Sequence, residues 1–419
     1  MHHTLRVNPA NHSMFMAGNA AAMSHTDAGG TFVLSVWFML VLLSPVYLFE
    51  SGTPQICDYL MLVLFVMLCV LGRIQWREHC SPLMVSILAC CGYAILSNLI
   101  WYCLSGHSDH LTFACYYLFA LLTVLVVSSL EVWFRRRFIQ WTVTSLLLAI
   151  VQTTIVSAFS DSGEVRSSGL FNNPNQLGYF VVLSASMLWI WFDRYSLNRT
   201  KATRLYIIGV FAIVACLGYL SMTTMSRATI GALGVGAILF FGRKPILALL
   251  IAIPLVWGFG YLDDTLHFTE AFSSRLENQD RLGQSFLQGR GYDRISYYRT
   301  NWIFGVGEGN NQRFGYSDHT GELHSTFGSF FFCYGIVGFF LLTNVLVGLS
   351  RSAGVRSLLY MLPALAFGLA HNGIRETYFW VLIVWVASSY TPSQHSPASQ
   401  HSTDQSDAEP LTRNGQCHS

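Results

Sequence analysis

The stretch PLMVSILACCGYAILSNLIWYCL, residues 82–104, contains no charged side chain and is long enough to cross the hydrocarbon core of a membrane as a helix. Comparable apolar stretches recur along the 419-residue chain, in which 53% of the residues are hydrophobic and only 11% are charged. A water-soluble domain of this size cannot carry such a composition on its surface. The sequence therefore predicts an all-α fold, a polytopic bundle of transmembrane helices.

About twelve stretches approach the length of roughly 20 residues that a helical span needs. The predicted spans are Thr31 to Phe49, Cys57 to Gly72, Pro82 to Leu104, Leu111 to Leu130, Phe138 to Phe159, Leu177 to Phe192, Arg204 to Thr224, Ala228 to Gly242, Pro245 to Leu262, Ser325 to Ser350, Val355 to His371 and Thr377 to Tyr390. One large outer loop, Asp263 to Leu323, separates the ninth span from the tenth.

Two polar tails flank the predicted transmembrane domain, residues 31–390. Residues 1–30 form an N-terminal tail without a cleavable signal, because no small-residue cleavage site follows the first apolar stretch. We therefore expect that stretch to stay as a membrane anchor. Residues 391–419 are rich in Ser, Gln and His, which favours a disordered tail.

The positions of Lys and Arg predict the orientation, since positive residues favour the cytoplasmic side. Fifteen of the 24 cations lie in alternate connections and in the two tails, so both termini are predicted to be cytoplasmic, in a bacterial inner membrane. The nine outward cations are Arg166, Arg227, Arg275, Arg281, Arg290, Arg294, Arg299, Arg313 and Arg375.

These outward cations are all arginines, and guanidinium forms planar, two-pronged contacts with phosphate. The alternative for any one of them is an ion pair with a nearby acid such as Glu164 or Glu376. For the set, we favour anion binding. A nucleic-acid partner is excluded because the net charge is only +2 and no basic run is present.

Four of the predicted spans begin on the outer side with polar residues. The sixth span follows Asn173 and Asn175, the eighth begins at Arg227, the tenth at His324 and the twelfth near Arg375. Helix N-termini present free N–H groups and a positive dipole end. If these four lie side by side, they form an anion-binding surface.

The outer loop before the tenth span holds the other candidates for chemistry. It contains Arg290, Arg294 and the glycine run Gly305–Gly309, and His324 follows it. An imidazole at a helix N-terminus beside arginines is expected to be neutral, so His324 is our candidate general base. The alternative is that the His324 side chain only extends to the membrane interface and has no catalytic role. His319 and His371 are weaker candidates, and Tyr297 is suited to stacking on a sugar ring.

Metal chemistry is not expected, because the sequence has no Asp-x-Asp, no His-x-x-x-His and no zinc-type cysteine spacing. No cofactor is expected either. Most cysteines fall inside apolar stretches and are interpreted as core residues. Cys57 and Cys103 alone lie where an oxidising compartment would let them pair.

Half of the chain, from about Leu170 to Trp380, resembles the bacterial O-antigen ligases and the repeat-unit polymerases of O-antigen, capsule and exopolysaccharide. The resemblance is carried by FNNPNQLG (171–178), Ser226-Arg227, Gly289-Arg290, GVGEG (305–309), ELHSTFG (322–328), YGIVG (334–338) and HNGIR (371–375).

The resemblance implies a metal-independent inverting glycosyltransferase whose donor is an undecaprenyl-diphosphate-linked glycan. In such an enzyme Arg227 and Arg290 hold the diphosphate and stabilise it as a leaving group, and His324 takes the proton of the attacking sugar hydroxyl. We predict that the following residues bind the diphosphate or the glycan: Arg294, Arg375, Arg166, Glu308, Asn175, His371 and Tyr297.

Two acceptors remain open: another lipid-linked repeat unit, for a polymerase, or the lipid-A core, for a ligase. Ser325 stands where ligases often have Asn, and this favours the polymerase. A polymerase also implies a chain-length regulator as a partner protein.

Two classes of protein that do not transfer glycans fit the sequence less well. A transporter of lipid-linked sugar or polysaccharide lacks support because no internal repeat is evident, and a receptor does not explain the arginines.

Overall fold

The computed structural model describes residues 28–50, 53–74, 81–159, 167–196, 203–241, 291–314 and 323–389. Every regular element in these ranges is a helix. The α-helices are α1 (Ala28–Leu43), α2 (Ile56–Val70), α3 (Pro82–Ser105), α4 (Asp109–Phe159), α5 (Pro174–Trp191), α6 (Thr203–Thr223), α7 (Arg227–Phe241), α8 (Asp293–Tyr297), α9 (Thr326–Ala353), α10 (Leu358–Gly368) and α11 (Thr377–Ser389).

Three of the described helices, α3, α4 and α9, are long and apolar enough to cross a membrane. Shorter apolar helices of 10–17 residues accompany them. Three predicted parts lie outside the described residues: the ninth span (Pro245 to Leu262), most of the loop Asp263 to Leu323, and the tails, apart from residues 28–30, which belong to α1. The all-helical structure is therefore confirmed for the described residues, and three of their helices are candidate membrane spans, whereas the count of twelve spans stays a prediction.

The ends of α3, predicted at Pro82 and Leu104, agree with the structure to within one residue, whereas α1 ends at Leu43 and not at the predicted Phe49. The hydroxyl of Ser81 accepts a hydrogen bond from the backbone N–H of Met84 at 3.3 Å, and Pro82 occupies the first helical position. At the other end Gly106 adopts a left-handed conformation with φ 71°. Between these two signals, the helix packs against α4 and α9.

Helix α4 joins two predicted spans, Leu111 to Leu130 and Phe138 to Phe159, into one element of 51 residues. The prediction of two separate helices is wrong in this respect, because the connection Glu131–Arg137 contains no Gly or Pro to end a helix. A straight helix of 51 residues would extend about 77 Å, more than twice the hydrocarbon core.

The contacts of α4 with α11 show that it is not straight. The guanidinium of Arg375, just before α11, lies 4.4 Å from the ring centroid of Phe113. At the other end of α11, the carbonyl of Ser388 accepts a hydrogen bond from Arg135 at 3.3 Å. The first part of α4 therefore runs parallel to α11.

The second part of α4 runs the opposite way. Phe138 packs on Trp385, near the end of α11, with ring centroids 5.8 Å apart. Further along α4, Thr142 accepts a hydrogen bond from Trp37 of α1, and α1 continues to Val41, whose carbonyl accepts from Tyr378 at the start of α11. We infer that α4 bends back close to Arg135, where the sequence predicts a cytoplasmic connection.

Helix α9 is broken at Gly335, which has φ 65° and ψ −166°. The loop before α9 pairs with the backbone groups that the break exposes. Ile336 N donates to Trp302 O at 2.7 Å, and Gly307 N donates to Cys333 O at 2.8 Å. These bonds satisfy peptide groups that would be costly to leave unpaired in an apolar environment.

Candidate functional site

Four helices begin at the same end of the bundle, which we call the site end: α5, α7, α9 and α11. Asn173 caps α5 by accepting a hydrogen bond from Asn175 N at 2.8 Å, and Ser226 caps α7 by accepting from Thr229 N at 3.4 Å. Ser325 caps α9 by accepting from Gly328 N at 3.2 Å. These three helices therefore direct the positive ends of their dipoles towards the site end.

Close contacts hold these helix starts together. Gly178 of α5 faces Thr229 of α7 so tightly that a Cβ at position 178 would overlap the threonine hydroxyl. Gly373, in the segment before α11, lies equally close to the Tyr179 ring of α5. The backbone N–H of Gly373 also donates to the hydroxyl of Thr326, the first residue of α9, at 2.9 Å. These contacts agree with the prediction that the four helix starts lie side by side. Anion binding by the helix starts stays a prediction.

His371 lies between α10 and the start of α9. Its carbonyl accepts hydrogen bonds from both the backbone N–H and the hydroxyl of Thr326, at 3.1 and 3.0 Å. Its ring packs on Phe367 with centroids 4.9 Å apart, and Phe367 stacks on Tyr179 at 4.6 Å. The ELHSTFG and HNGIR segments are therefore joined through backbone contacts.

Glu308 is the most highly connected acid at the site end. Only 3% of its surface is exposed, and Arg375 forms an ion pair with its Oε1 through Nε, at 2.8 Å, and Nη2. The Asn372 amide also donates to Oε1, at 3.4 Å. Oε2 accepts hydrogen bonds from the hydroxyls of Tyr117 at 3.1 Å and Tyr334 at 2.8 Å.

The backbone of Glu308 is held as firmly as its carboxylate. Its N–H donates to the side-chain oxygen of Asn98 at 2.8 Å, and its carbonyl accepts from His110 Nδ1 at 2.6 Å. The Asn98 amide in turn donates to the Tyr334 hydroxyl at 3.0 Å. Residues of α3, α4 and α9 thus fix the GVGEG loop to the helix bundle.

A small pocket lies between the loop residues and α9. It is lined by Arg294, Glu308, Arg375, Leu323 and Ser329, among others. Arg294 is 2% exposed, and this burial lowers the pKa of its guanidinium, against the opposing effect of the Asp293 carboxylate. Two arginines and one carboxylate therefore face the same enclosed space, which carries a positive balance of charge.

The remaining predicted site residues do not line this pocket. His324 is exposed and comes directly before Ser325, and Arg227 is exposed at the first position of α7. Tyr297 is 54% exposed and packs edge-on against Tyr298 at 4.9 Å. The candidates that lie outside the described residues are Arg166, Arg290 and His319.

Glu308 and Arg375 were predicted to bind substrate, yet the structure gives each a partner in the other. The residues that surround the pair were not among the predicted site residues: Asn98, His110, Tyr117, Tyr334 and Asn372. Asn98 carried a signal, because a polar residue inside a predicted membrane span often has a functional role. Tyr334 and Asn372 lie in the quoted segments YGIVG and HNGIR, whereas Tyr117 carried no signal, since aromatic residues are abundant throughout the chain.

Glu376, immediately before α11, is the described acid with the clearest change in acidity at the site end. Desolvation raises the pKa of its carboxyl to about 7, the Asp58 carboxylate adds to the increase and Arg375 opposes it. Within the described ranges, no three His, Cys, Asp or Glu side chains are grouped as metal ligands. Cys57 and Cys103 are both free thiols, so they do not pair in this structure.

Comparison with known proteins finds no match to a protein-family model and no significant match to a curated protein.

Proposed function

We propose that this chain is a membrane glycosyltransferase that moves a glycan from a polyprenyl-diphosphate donor to the sugar hydroxyl of another lipid-linked repeat unit. The observation that carries the proposal is the convergence of distant segments at the site end. His371 and Gly373 bond to Thr326, and Arg375 bonds to Glu308. Four helix starts, the buried Arg294, the half-buried Arg375 and an exposed histidine lie at this end of the bundle.

The donor diphosphate is a ligand whose charge complements this region. Its charge is complementary to the guanidinium of Arg227, which is exposed at the start of α7, and to the pocket that Arg294 and Arg375 line. The helix dipoles of α5, α7, α9 and α11 have their positive ends here, and they add to the positive potential of the arginines. Stabilising the diphosphate in this way promotes its departure as a leaving group.

The acceptor hydroxyl requires a group that removes its proton. His324 is exposed, next to the cap of α9, and an imidazole there can accept that proton. The hydroxyl oxygen attacks the anomeric carbon of the donor sugar, and a new C–O bond forms on the face opposite the diphosphate. The bond from the anomeric carbon to the diphosphate breaks, and the diphosphate leaves with the electron pair.

Surface-glycan analysis of a deletion strain tests the proposal. The strain is complemented with the wild type, with His324→Ala, or with His107→Ala as a control at an exposed histidine outside the motif segments. We expect the deletion and His324→Ala to leave a core that carries a single repeat unit, and His107→Ala to restore full-length chains.

Three further results of the same experiment would each change the assignment. Long chains that accumulate on the carrier lipid beside a bare core would identify a ligase instead of a polymerase. A normal pattern with His324→Ala would exclude His324 as the base. An unchanged glycan pattern in the deletion strain itself would reject glycan transfer altogether.

A further inference from the structure

The carboxylate of Glu308 has no capacity left for a substrate. An ionised carboxylate offers about four lone-pair positions. Here Oε1 accepts from Arg375 and Asn372, and Oε2 accepts from Tyr117 and Tyr334. A sugar hydroxyl or a proton would have to displace one of these donors. The geometry therefore argues against Glu308 as a base or a direct substrate ligand.

The same contacts determine where the charge of Arg375 lies. Its guanidinium is held between the Glu308 carboxylate and the face of the Phe113 ring, 4.4 Å from the ring centroid. In this position it lines the pocket shared with Arg294 and Leu323, the residue before His324. A shift of Glu308 would move the Arg375 guanidinium away from the pocket wall.

Two tyrosine hydroxyls fix the opposite oxygen of Glu308. Tyr117 belongs to α4 and Tyr334 to α9, one residue before the break at Gly335. Both hydroxyls are buried with the carboxylate, so their hydrogen bonds to it are strengthened by the low local dielectric. These two hydrogen bonds thus fix the position of the loop that carries Glu308 relative to α4 and α9.

We propose that Glu308 is a positioning residue, which acts through Arg375 and not by touching the substrate. Oε2 is held by Tyr117 and Tyr334, and Oε1 orients Arg375 in the pocket next to His324. This inference rests on the proposed glycan transfer, because in it Arg375 binds the donor diphosphate. It also makes Tyr117 and Tyr334 part of the machinery that the sequence analysis had not identified.

Steady-state kinetics of the purified full chain test this role, with a polyprenyl-diphosphate-linked oligosaccharide as donor. Glu308→Gln replaces an acceptor oxygen by an amide, so the position of Arg375 changes while the side-chain size is kept. We expect kcat to fall about 100-fold, as for a misplacement of about 1 Å, with KM changed far less. The pH dependence of the remaining rate should keep its shape, because Glu308 exchanges no proton with the substrate.

Tyr117→Phe provides a second variant that introduces no new buried charge or amide. Its hydroxyl bonds to Glu308, so we expect a decrease in kcat of about tenfold, which corresponds to one hydrogen bond to a charged group. Glu131→Gln is the matched control, since Glu131 forms an ion pair with Arg135 at 3.3 Å, near the opposite end of α11 from Arg375. Its kinetics should equal those of the wild type.

Wild-type kcat in both Glu308→Gln and Tyr117→Phe would overturn the positioning role, as would a shifted pH profile in either. Hydrogen exchange of the same variants separates this inference from the proposed function. In Glu308→Gln the amides of residues 371–376 should exchange at least tenfold faster, and those of α1 should not change. If the wild type shows no transfer, the proposed function fails, whereas unchanged exchange at residues 371–376 overturns the role of Glu308 itself.

Discussion

Arg375 Nε lies 2.8 Å from Glu308 Oε1, and this contact joins two segments that are 67 positions apart in the chain. Both side chains are largely buried, with exposed fractions of 18% for Arg375 and 4% for Glu308. A pair in such a setting contributes little net stability, but the loss of one partner leaves an uncompensated charge behind. The pair is therefore a sensitive point of the fold as well as of the site.

Arg375→Ala should destabilise the protein by about 3–5 kcal/mol, because the Glu308 carboxylate would stay buried without its cation. Glu131→Ala is the matched control, since the Glu131–Arg135 pair is more exposed, and its loss should cost about 1 kcal/mol or less. Thermal and chemical unfolding of both variants in the same detergent measures the difference. Equal stability of the two variants would contradict the buried ion pair.

Gly335→Ala should destabilise the protein by more than about 2 kcal/mol. The residue has φ 65°, and an added Cβ would overlap the carbonyl of Ile303, which belongs to the loop paired with the break in α9. Gly234→Ala is the control, because that helical glycine of α7 has no neighbouring atom within 4 Å of an added Cβ. The control should be neutral or more stable by up to about 1 kcal/mol, and unfolding midpoints decide the comparison.

Glu376 should make the stability of the protein fall as the pH rises towards neutrality. Its native pKa of about 7 exceeds the ordinary value, so between roughly pH 4.5 and 7 the native state binds more protons than the unfolded state. This contribution to the free energy of unfolding therefore decreases across that window and is constant above it. Asp58 and Arg375 are the charges that face the group.

Glu376→Gln tests that dependence, because the amide cannot ionise. Relative to the wild type, its unfolding temperature should be similar near pH 5 and higher near pH 8. Glu131→Gln serves as the control and should follow the wild-type curve at every pH. A Glu376→Gln variant whose unfolding temperature varies with pH as the wild type does would show that Glu376 titrates at its ordinary pKa.

The helix limits could be predicted because local signals determine them. Uncharged stretches define the spans, and Ser81 and Gly106 mark the two ends of α3. The reversal of α4 near Arg135 was predicted from charge, but the helix continues to it because no breaker residue is present. The charged residues thus predict where the chain turns back, whereas helix propensity predicts whether the helix is interrupted there.

The environment of Glu308 could not be predicted, because it depends on how distant helices pack. Asn98, Tyr117 and Tyr334 come from three helices, and nothing in their spacing along the chain indicates that they meet. The sequence correctly pointed to the segments around Glu308 and Arg375. It assigned both to the substrate because a buried partner within the protein is a property of the tertiary structure alone.

Arg227 offers the most direct test of diphosphate binding. It is exposed at the first position of α7, so a substitution there should leave the unfolding midpoint nearly unchanged. If the guanidinium contacts two oxygens of the diphosphate, a lysine cannot replace it, since an ammonium is a point charge without the planar fork. We expect Arg227→Lys and Arg227→Ala each to lower kcat by about 100-fold. Arg351→Lys, at an exposed arginine of α9, is the control and should keep wild-type kinetics. Near-normal transfer by Arg227→Lys would show that charge alone suffices, and the two-pronged contact would then not be part of the mechanism.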